Sequence, residues 1–543
     1  MRSTATSPVS TERIPTLTTH EGAVGYQRDP KSELFLLAVS NMVGQDTYYE
    51  RADVRDSRYA QLVRALAVDD PDWTVRLLGW LRNVGNMRSA SLVGAAEFVK
   101  ARLDTPSAGD DTGKSRGWKY HYRGWSRQAV DAVLQRADEP GEMLAYWTST
   151  YGRAIPKPVK RGVADAVCRL YTEHAVLKYD TSSKGFRFGD VIKLVHAAPA
   201  TTSQGNLFQH IIDRRHGRDQ RVSTSLPMLW RHDQLTQIPV AARPGRLRQS
   251  GFWQELRQAG MTWEALAGWL QGPMDASAWE AIIPSMGLMA LVRNLRNFDE
   301  AGVSDAAADT ICARLADPDE VRKSRQFPFR FWSAYKHAPS LRWAGALEKA
   351  LNHALSSVPR LPGRTLVLVD RSPSMFPGYF YSTPNKSDIP LAEQAAVFGA
   401  AIASRAQDAT LIEFGGTSRN VTVPRGGSVL RLIESFGQLD GTDIPSAVRQ
   451  HYAAHSRVVV VTDEQTRPGY LPSNMGRYGG MRETRIDDLI PAHIPVYMWN
   501  MAGYRPGAAP SGGRNRHAFG GLSDAAFRMI PLLEAGDSAT WPF

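Results

Sequence analysis

TLVLVDRSPSM, Thr365–Met375, is an apolar strand that runs directly into a polar loop. Five residues of almost unbroken Leu and Val suit a strand buried on both faces, as in a mostly parallel sheet. Three similar runs follow: TLIEF (Thr410–Phe414), RVVVVTD (Arg457–Asp463) and VYMWN (Val496–Asn500). Helical stretches lie between and after them, in IPLAEQAAVFGAAIASRA, DIPSAVRQHYAAH and SDAAFRMIPLLEAG. Strands alternating with helices predict a doubly wound α/β domain over residues 361–543. The Pro-containing segment SSVPRLPGR, Ser356–Arg364, is its predicted hinge to what precedes it.

Asp370, Ser372 and Ser374 stand at alternate positions of the loop after the first strand. Asp463 ends a later strand, and Thr442 sits just ahead of a helix in LDGTDIPS. In a doubly wound sheet the loops following the strands gather at one edge, and ligands bind in that crevice. Two carboxylates and three hydroxyls suit a hard divalent cation, most simply Mg²⁺, with water filling the remaining positions. A carboxylate or phosphate from a partner could take an open position. The arrangement resembles the metal-ion-dependent adhesion site of von Willebrand factor A domains, whose loop usually has Gly where this chain has Pro373.

Outward from the hinge toward the N-terminus the pattern changes. From about Ser32 to Leu351, runs such as RYAQLVRALAV, WTVRLLGWLRNV and KRGVADAVCRLYTEH place apolar residues three and four apart, the spacing of amphipathic helices. Many short helices with short connections suggest stacked helix pairs of the solenoid kind, although no strict sequence period is present. Residues 1–30, rich in Thr, Ser and Pro, read as a flexible tail, leaving 31–355 for the helical domain.

Composition places the chain among ordinary globular proteins, with 543 residues, 43% hydrophobic and 22% charged. No apolar leader opens the chain and no run of eighteen apolar residues occurs, so no membrane span is expected and a cytoplasmic setting is the natural reading. Two cysteines, Cys168 and Cys312, make neither a disulfide framework nor a cysteine zinc site. The net charge of +11 is uneven: residues 361–543 hold 17 Lys+Arg against 16 Asp+Glu, and residues 1–360 hold 48 against 38. A one-sided basic excess is the electrostatic footprint expected for a polyanion.

Several segments of the helical half are basic, and some are aromatic as well. KSRGWKYHYRGWSR (Lys114–Arg127) interleaves Trp118, Tyr120, Tyr122 and Trp125 with Lys and Arg, a composition that can stack unpaired bases and hold phosphates. The same aromatics could equally serve as core. YGRAIPKPVKRG contributes Arg153, Lys157, Lys160 and Arg161, and LKYDTSSKGFRFGDVIKLVH contributes Lys178, Lys184, Arg187, Lys193 and His196.

NMVGQDTYYE, YWTSTYGRAIPKPVKRGVADAV, LKYDTSSKGFRFGDVIKLVH, MTWEAL, WEAIIPSMGLMALVRNLRNFDEAGVS and RQFPFRFWSAY, taken in order, resemble the TROVE domain of Ro ribonucleoproteins over about residues 30–350. The resemblance implies a ring of HEAT-like helix pairs joined to a von Willebrand A-like domain. It implies a small noncoding Y-like RNA on the outer basic surface, with unpaired 3′ ends of misfolded RNAs in the central hole. A tether through RNA to polynucleotide phosphorylase is a further implied partner, and a closed ring within one chain would make a monomer sufficient. The family's Y-RNA contacts fall on Lys178 and His196, and a third basic position falls near Lys184. Lys157, Lys160, Arg161 and Arg187 join the candidate surface on charge alone.

Two function classes follow: an RNA-binding scaffold for RNA quality control, and a cation-dependent protein-interaction module of the adhesion type. An enzyme is not expected. The chain has no phosphate-binding Gly-rich loop ending in Lys-Ser/Thr, no His-Glu-x-x-His and no Gly-x-Ser-x-Gly. The Asp463–Glu464 pair falls short of the carboxylate cluster a two-metal nuclease needs.

Overall fold

The computed structural model describes residues 5–40, 43–105, 124–218, 221–338, 340–356, 358–376, 389–423, 427–472, 481–522 and 527–543. It divides into two compact units. One comprises Met1–Leu62, Gln326–Ser333 and Glu348–Phe543, and the other Val63–Arg325 and Ala334–Leu347. Among the described residues, no helix is long and apolar enough to cross a membrane.

The strands of the first unit, in chain order, are β1 (Leu17–Thr18), β2 (Val24–Gln27), β3 (Leu361–Asp370), β4 (Ala406–Phe414), β5 (Ser418–Val421), β6 (Arg457–Thr462), β7 (Gly469–Pro472), β8 (Met481–Thr484), β9 (Val496–Asn500), β10 (Pro506–Gly507) and β11 (Arg516–Gly520). Six of them form one sheet in the order β11-β9-β6-β3-β4-β5, parallel except for β5, which runs antiparallel to β4. The predicted α/β domain is therefore present as a doubly wound sheet. Leu366–Val369 on β3 and Val458–Val461 on β6 are almost wholly buried, as their unbroken apolar runs require. The helix Leu391–Arg405 lies on β3 so closely that a Cβ at Gly399 would collide with Val369.

Chain order reverses at the sheet centre. From β3 the chain moves outward to β4 and β5, then returns to place β6 on the other side of β3. β3 ends in Asp370, and Asp463 follows β6 directly, so both carboxylates stand at this switch point.

The N-terminal segment departs from expectation. Residues 5–30, read from their Thr, Ser and Pro content as a tail, are folded into this unit. β1 and β2 form a hairpin, and β2 pairs with β10. Ala5, Val9, Ala23 and Tyr26 are buried. Arg28 supplies the anchor: its guanidinium donates to Tyr504 O at 2.6 Å and Arg505 O at 3.1 Å, and pairs with Glu464 at 2.6 Å, both side chains 1% exposed. Composition misled here because two- and four-residue strands carry almost no periodicity.

Smaller differences have similar causes. β3 starts at Leu361, within the predicted hinge, with a register break before Arg364 at Gly363, whose φ of +72° suits glycine. β11 was not predicted, because RHAFG offers neither alternation nor a long apolar run.

The second unit is helical, as the three-and-four spacing predicts. Trp125–Val133 packs on Pro71–Asn83, Arg88–Asp104 and Lys157–Leu170, and Phe188–Val195 packs on Thr202–Arg215. Buried ion pairs brace these layers. Glu139, wholly buried, accepts from Arg82 at 2.6 Å, from Arg88 at 3.1 Å, and from the backbone amides of Gln135 and Arg136. Cys168 and Cys312 are unbridged.

Removing one partner of a buried ion pair leaves an uncompensated charge, at about 3–5 kcal/mol. Arg28→Ala should therefore lower the melting temperature of the α/β unit by several degrees in the full chain, read by calorimetry. An unchanged transition would show that the N-terminal segment does not support the sheet.

Candidate cation site and basic surface

The loop after β3 is shaped by its own side chains. Asp370 Oδ1 accepts from the Ser372 amide at 2.9 Å, a short turn closed by the carboxylate. Pro373 opens a one-turn 3₁₀ helix, Pro373–Met375, where its fixed φ is already suitable. That turn brings the Ser372 and Ser374 hydroxyls to 3.1 Å. Arg371 points elsewhere, donating to Ala392 O at 2.6 Å and to Gly437 O. Asp370 Oδ2 accepts from the Thr462 hydroxyl at 2.6 Å, which locks the two central strands together at their ends.

Asp463 closes the opposite side. Its Oδ1 accepts from the Gln465 amide at 2.9 Å. Its Oδ2 is buried without a hydrogen-bond partner of good geometry among the described residues, and the nearby Ser374 hydroxyl favours the ionised carboxylate. Thr442 is 1% exposed, and its carbonyl accepts from the Arg467 amide at 2.8 Å. Its loop is held against the Asp370 loop by the Leu439 amide, which donates to Arg371 O at 2.9 Å. The five predicted residues are thus buried on loops that are bonded to one another.

The electrostatics favour a cation. Burial, and then the nearby Asp370, push the Asp463 carboxyl up to about 8. Burial likewise raises Asp370. Two carboxyls desolvated together, with one oxygen unsatisfied and hydroxyls around them, lack a positive charge. The donor set is all oxygen, which suits Mg²⁺ or Mn²⁺ with water completing the shell. Among the described residues no three His, Cys, Asp or Glu side chains cluster as a ligand set, so a cation here would draw its other ligands from hydroxyls and water.

Glu464, next to the site, is fully engaged elsewhere. Besides Arg28, it accepts from Asn500 Nδ2 at 2.8 Å and the Ala508 amide at 2.9 Å, and it holds a φ of +67°. Its oxygens are committed to the fold, which leaves Asp370 and Asp463 as the two carboxylates of the site.

Sequence reasoning missed three neighbours. Thr462, just before Asp463, orients Asp370. Tyr49 lies close enough to Asp463 and Ser374 for both to act on its hydroxyl, which donates to Glu21 at 2.6 Å; burial, first of all, raises its pKa. Tyr504 packs edge-on against Tyr49 at 5.5 Å. Nothing in the period or spacing of NMVGQDTYYE announces that role.

The basic candidates separate into two groups. Lys178 is exposed in the last turn of Glu173–Tyr179, with its ammonium 5.3 Å from the Tyr179 ring. His196 is exposed at the C-cap of Phe188–Val195 in a left-handed conformation, φ 55° and ψ 47°. Lys157 and Arg161 are exposed and Lys160 half-buried on Lys157–Leu170, and Arg153 is exposed just before it. Lys184 and Arg187, in contrast, are engaged. Lys184 reaches Glu142 at 3.3 Å and Asp138 at 3.5 Å, and Arg187 grips Asp180 with two bonds of 3.2 and 2.9 Å. Lys193 lies against His216. Lys114, Trp118, Tyr120 and Tyr122 lie outside the described residues. Trp125 is half-buried beneath the Arg102 guanidinium, 5.1 Å from its ring, in a packing role.

Residues 256–341 match the family model of the TROVE domain. A likeness to a solved structure extends over far more of the chain: the crystal structure of the Ro (RSR) protein of Deinococcus radiodurans matches 94% of this chain and 100% of that one, with a TM-score of 0.58 at 17% identity. At that identity the likeness establishes a shared fold.

A ligand present at a hundredfold its Kd stabilises a fold by about 2.7 kcal/mol. Saturating Mg²⁺ or Mn²⁺ should accordingly raise the melting temperature of the α/β unit by about 5–10 °C. Asp463→Asn should abolish that response. The full chain is the right sample, because the 361–543 segment alone lacks Arg28 and Tyr49. No shift at millimolar metal would count against a working site.

Proposed function

We propose that this chain is the RNA-binding scaffold of a Ro-type ribonucleoprotein. The observation that carries the reading is the exposure of Lys178 and His196, on successive helices of a TROVE-type helical unit, with no carboxylate partner among the described residues. A small structured Y-like RNA would lie across this surface, with Lys157, Lys160 and Arg161 extending the positive field along the preceding helix. Lys184 and Arg187 would act indirectly, by fixing the connection between Lys178 and His196. Affinity would come from counterion release at phosphates, and selectivity from RNA shape and unpaired segments. Unpaired 3′ ends of misfolded RNAs would be a second class of ligand, taken up by a central opening, and an exoribonuclease of the polynucleotide phosphorylase type could be recruited through the bound RNA. In this role the chain holds RNA for others to process, as a monomer in the cytoplasm.

A second function can coexist with the first. The buried Asp463 Oδ2 and the hydroxyl-lined loop support a resident Mg²⁺ on Asp370, Ser372, Ser374, Thr442 and Asp463, with a coordination position open to a carboxylate of a protein partner. This is the cation-dependent interaction module, set on the α/β unit while RNA occupies the helical one.

Lys178→Ala combined with His196→Ser should weaken binding of a small structured RNA about tenfold, with the salt dependence shallower by about one. Filter binding across a salt series reads both. Asp370→Ala should leave that binding intact in the folded protein. Equal affinity and an equal salt slope in the double variant would refute the placement of the RNA.

A further inference from the structure

The sheet edge away from the cation site carries a cleft that the RNA reading does not use. It has a volume of about 370 Å³ and is lined by Asn352, Leu355, Arg360, Ala401, Ser404, Arg405 and Val429. The strand register accounts for its charge. Leu361 on β3 pairs with Ala406 on β4, so the residues just before them, Arg360 and Arg405, enter the sheet side by side. Other arginines at this edge are neutralised: Arg364 pairs with Asp408 at 3.3 Å and Arg457 with Glu534 at 2.5 Å. Among the described residues Arg360 and Arg405 have no carboxylate partner, although like charges at close range repel. The cleft lies at the first residue of a ten-residue strand whose last residue is Asp370, about 30 Å away.

We infer that this cleft is a binding site for a small phosphate-bearing ligand of mononucleotide size. Two guanidinium groups offer paired N–H donors matched to phosphate oxygens. Asn352 and Ser404 add neutral hydrogen-bonding groups, and Leu355 and Val429 provide an apolar wall for a base or ribose. The volume lies near the lower end of small-molecule sites, roughly 300–1,000 Å³, which admits a nucleoside phosphate and excludes a folded polynucleotide. The site is independent of the RNA surface and of the cation loop.

Isothermal titration of the full chain with ADP, pyrophosphate, adenosine and succinate tests it. Saturable binding of ADP and pyrophosphate is expected, with adenosine and succinate silent. ADP binding more tightly than pyrophosphate would assign a nucleotide, and equal binding would assign the phosphate groups alone; either result supports the site. Arg360→Ala with Arg405→Ala should weaken both ligands by about tenfold or more, the cost of losing charged hydrogen bonds. Ser404→Glu, which supplies the missing negative charge from an exposed position, should do the same without removing either arginine, and an unchanged melting temperature would show the fold intact. No saturable phosphate binding, succinate binding as tight as that of ADP, or full affinity retained in both variants would overturn the inference.

Discussion

Two buried carboxylates placed together at the end of a parallel sheet are the constraint around which the α/β unit is organised. Asp370 and Asp463 are both wholly buried, and burial raises the proton affinity of each. Such a pair is tolerable only if the backbone supplies donors and either a bound proton or a cation relieves the negative charge. The fold provides the donors: the Ser372 and Gln465 amides and the Thr462 hydroxyl each take one carboxylate oxygen. It leaves one oxygen unsatisfied and places hydroxyls nearby. Strongly shifted carboxyls in a loop crevice are the pattern that ligand sites share with structural polar networks.

That arrangement depends on a segment distant in sequence. The loop carrying Asp463 also carries Glu464, held in a left-handed conformation by Arg28, Asn500 and the Ala508 amide. Two residues further on, the Thr466 carbonyl accepts from the Thr19 hydroxyl at 2.7 Å. The N-terminal hairpin is thus a structural part of the cation loop, and Tyr49 and Glu21 come to the site with the same portion of the chain.

Legibility in the sequence followed the length of the signal. β3, β4, β6 and β9 could be read because each has several consecutive apolar or β-branched residues, and the helical half because its spacing repeats over three hundred positions. That Asp370, Ser372, Ser374, Thr442 and Asp463 lie on neighbouring loops could be read because strand ends fix where loops gather. The hairpin and β10 could not, since strands of two to four residues are defined by tertiary pairing more than by pattern, and β11 could not because RHAFG lacks the consecutive apolar residues of β9. Tyr49 and Glu21 were hidden for a different reason: a residue brought to a site across more than four hundred positions leaves no local trace.

The basic half shows why net charge is only a first approximation to a binding surface. Much of its excess is spent internally: Arg82 and Arg88 on Glu139, Arg127 on Asp165, Arg136 on Asp138, Arg169 on Asp131, Arg187 on Asp180 and Arg215 on Asp190. An arginine whose donors are already held by a carboxylate releases few counterions when a phosphate approaches, because its charge is largely compensated. Other basic residues are left over. Lys157, Arg161, Lys178 and His196 are exposed and have no carboxylate partner among the described residues. They lie on elements that follow one another in the chain, so ion pairing within the helical unit, rather than net charge, decides which positive groups stay open to solvent.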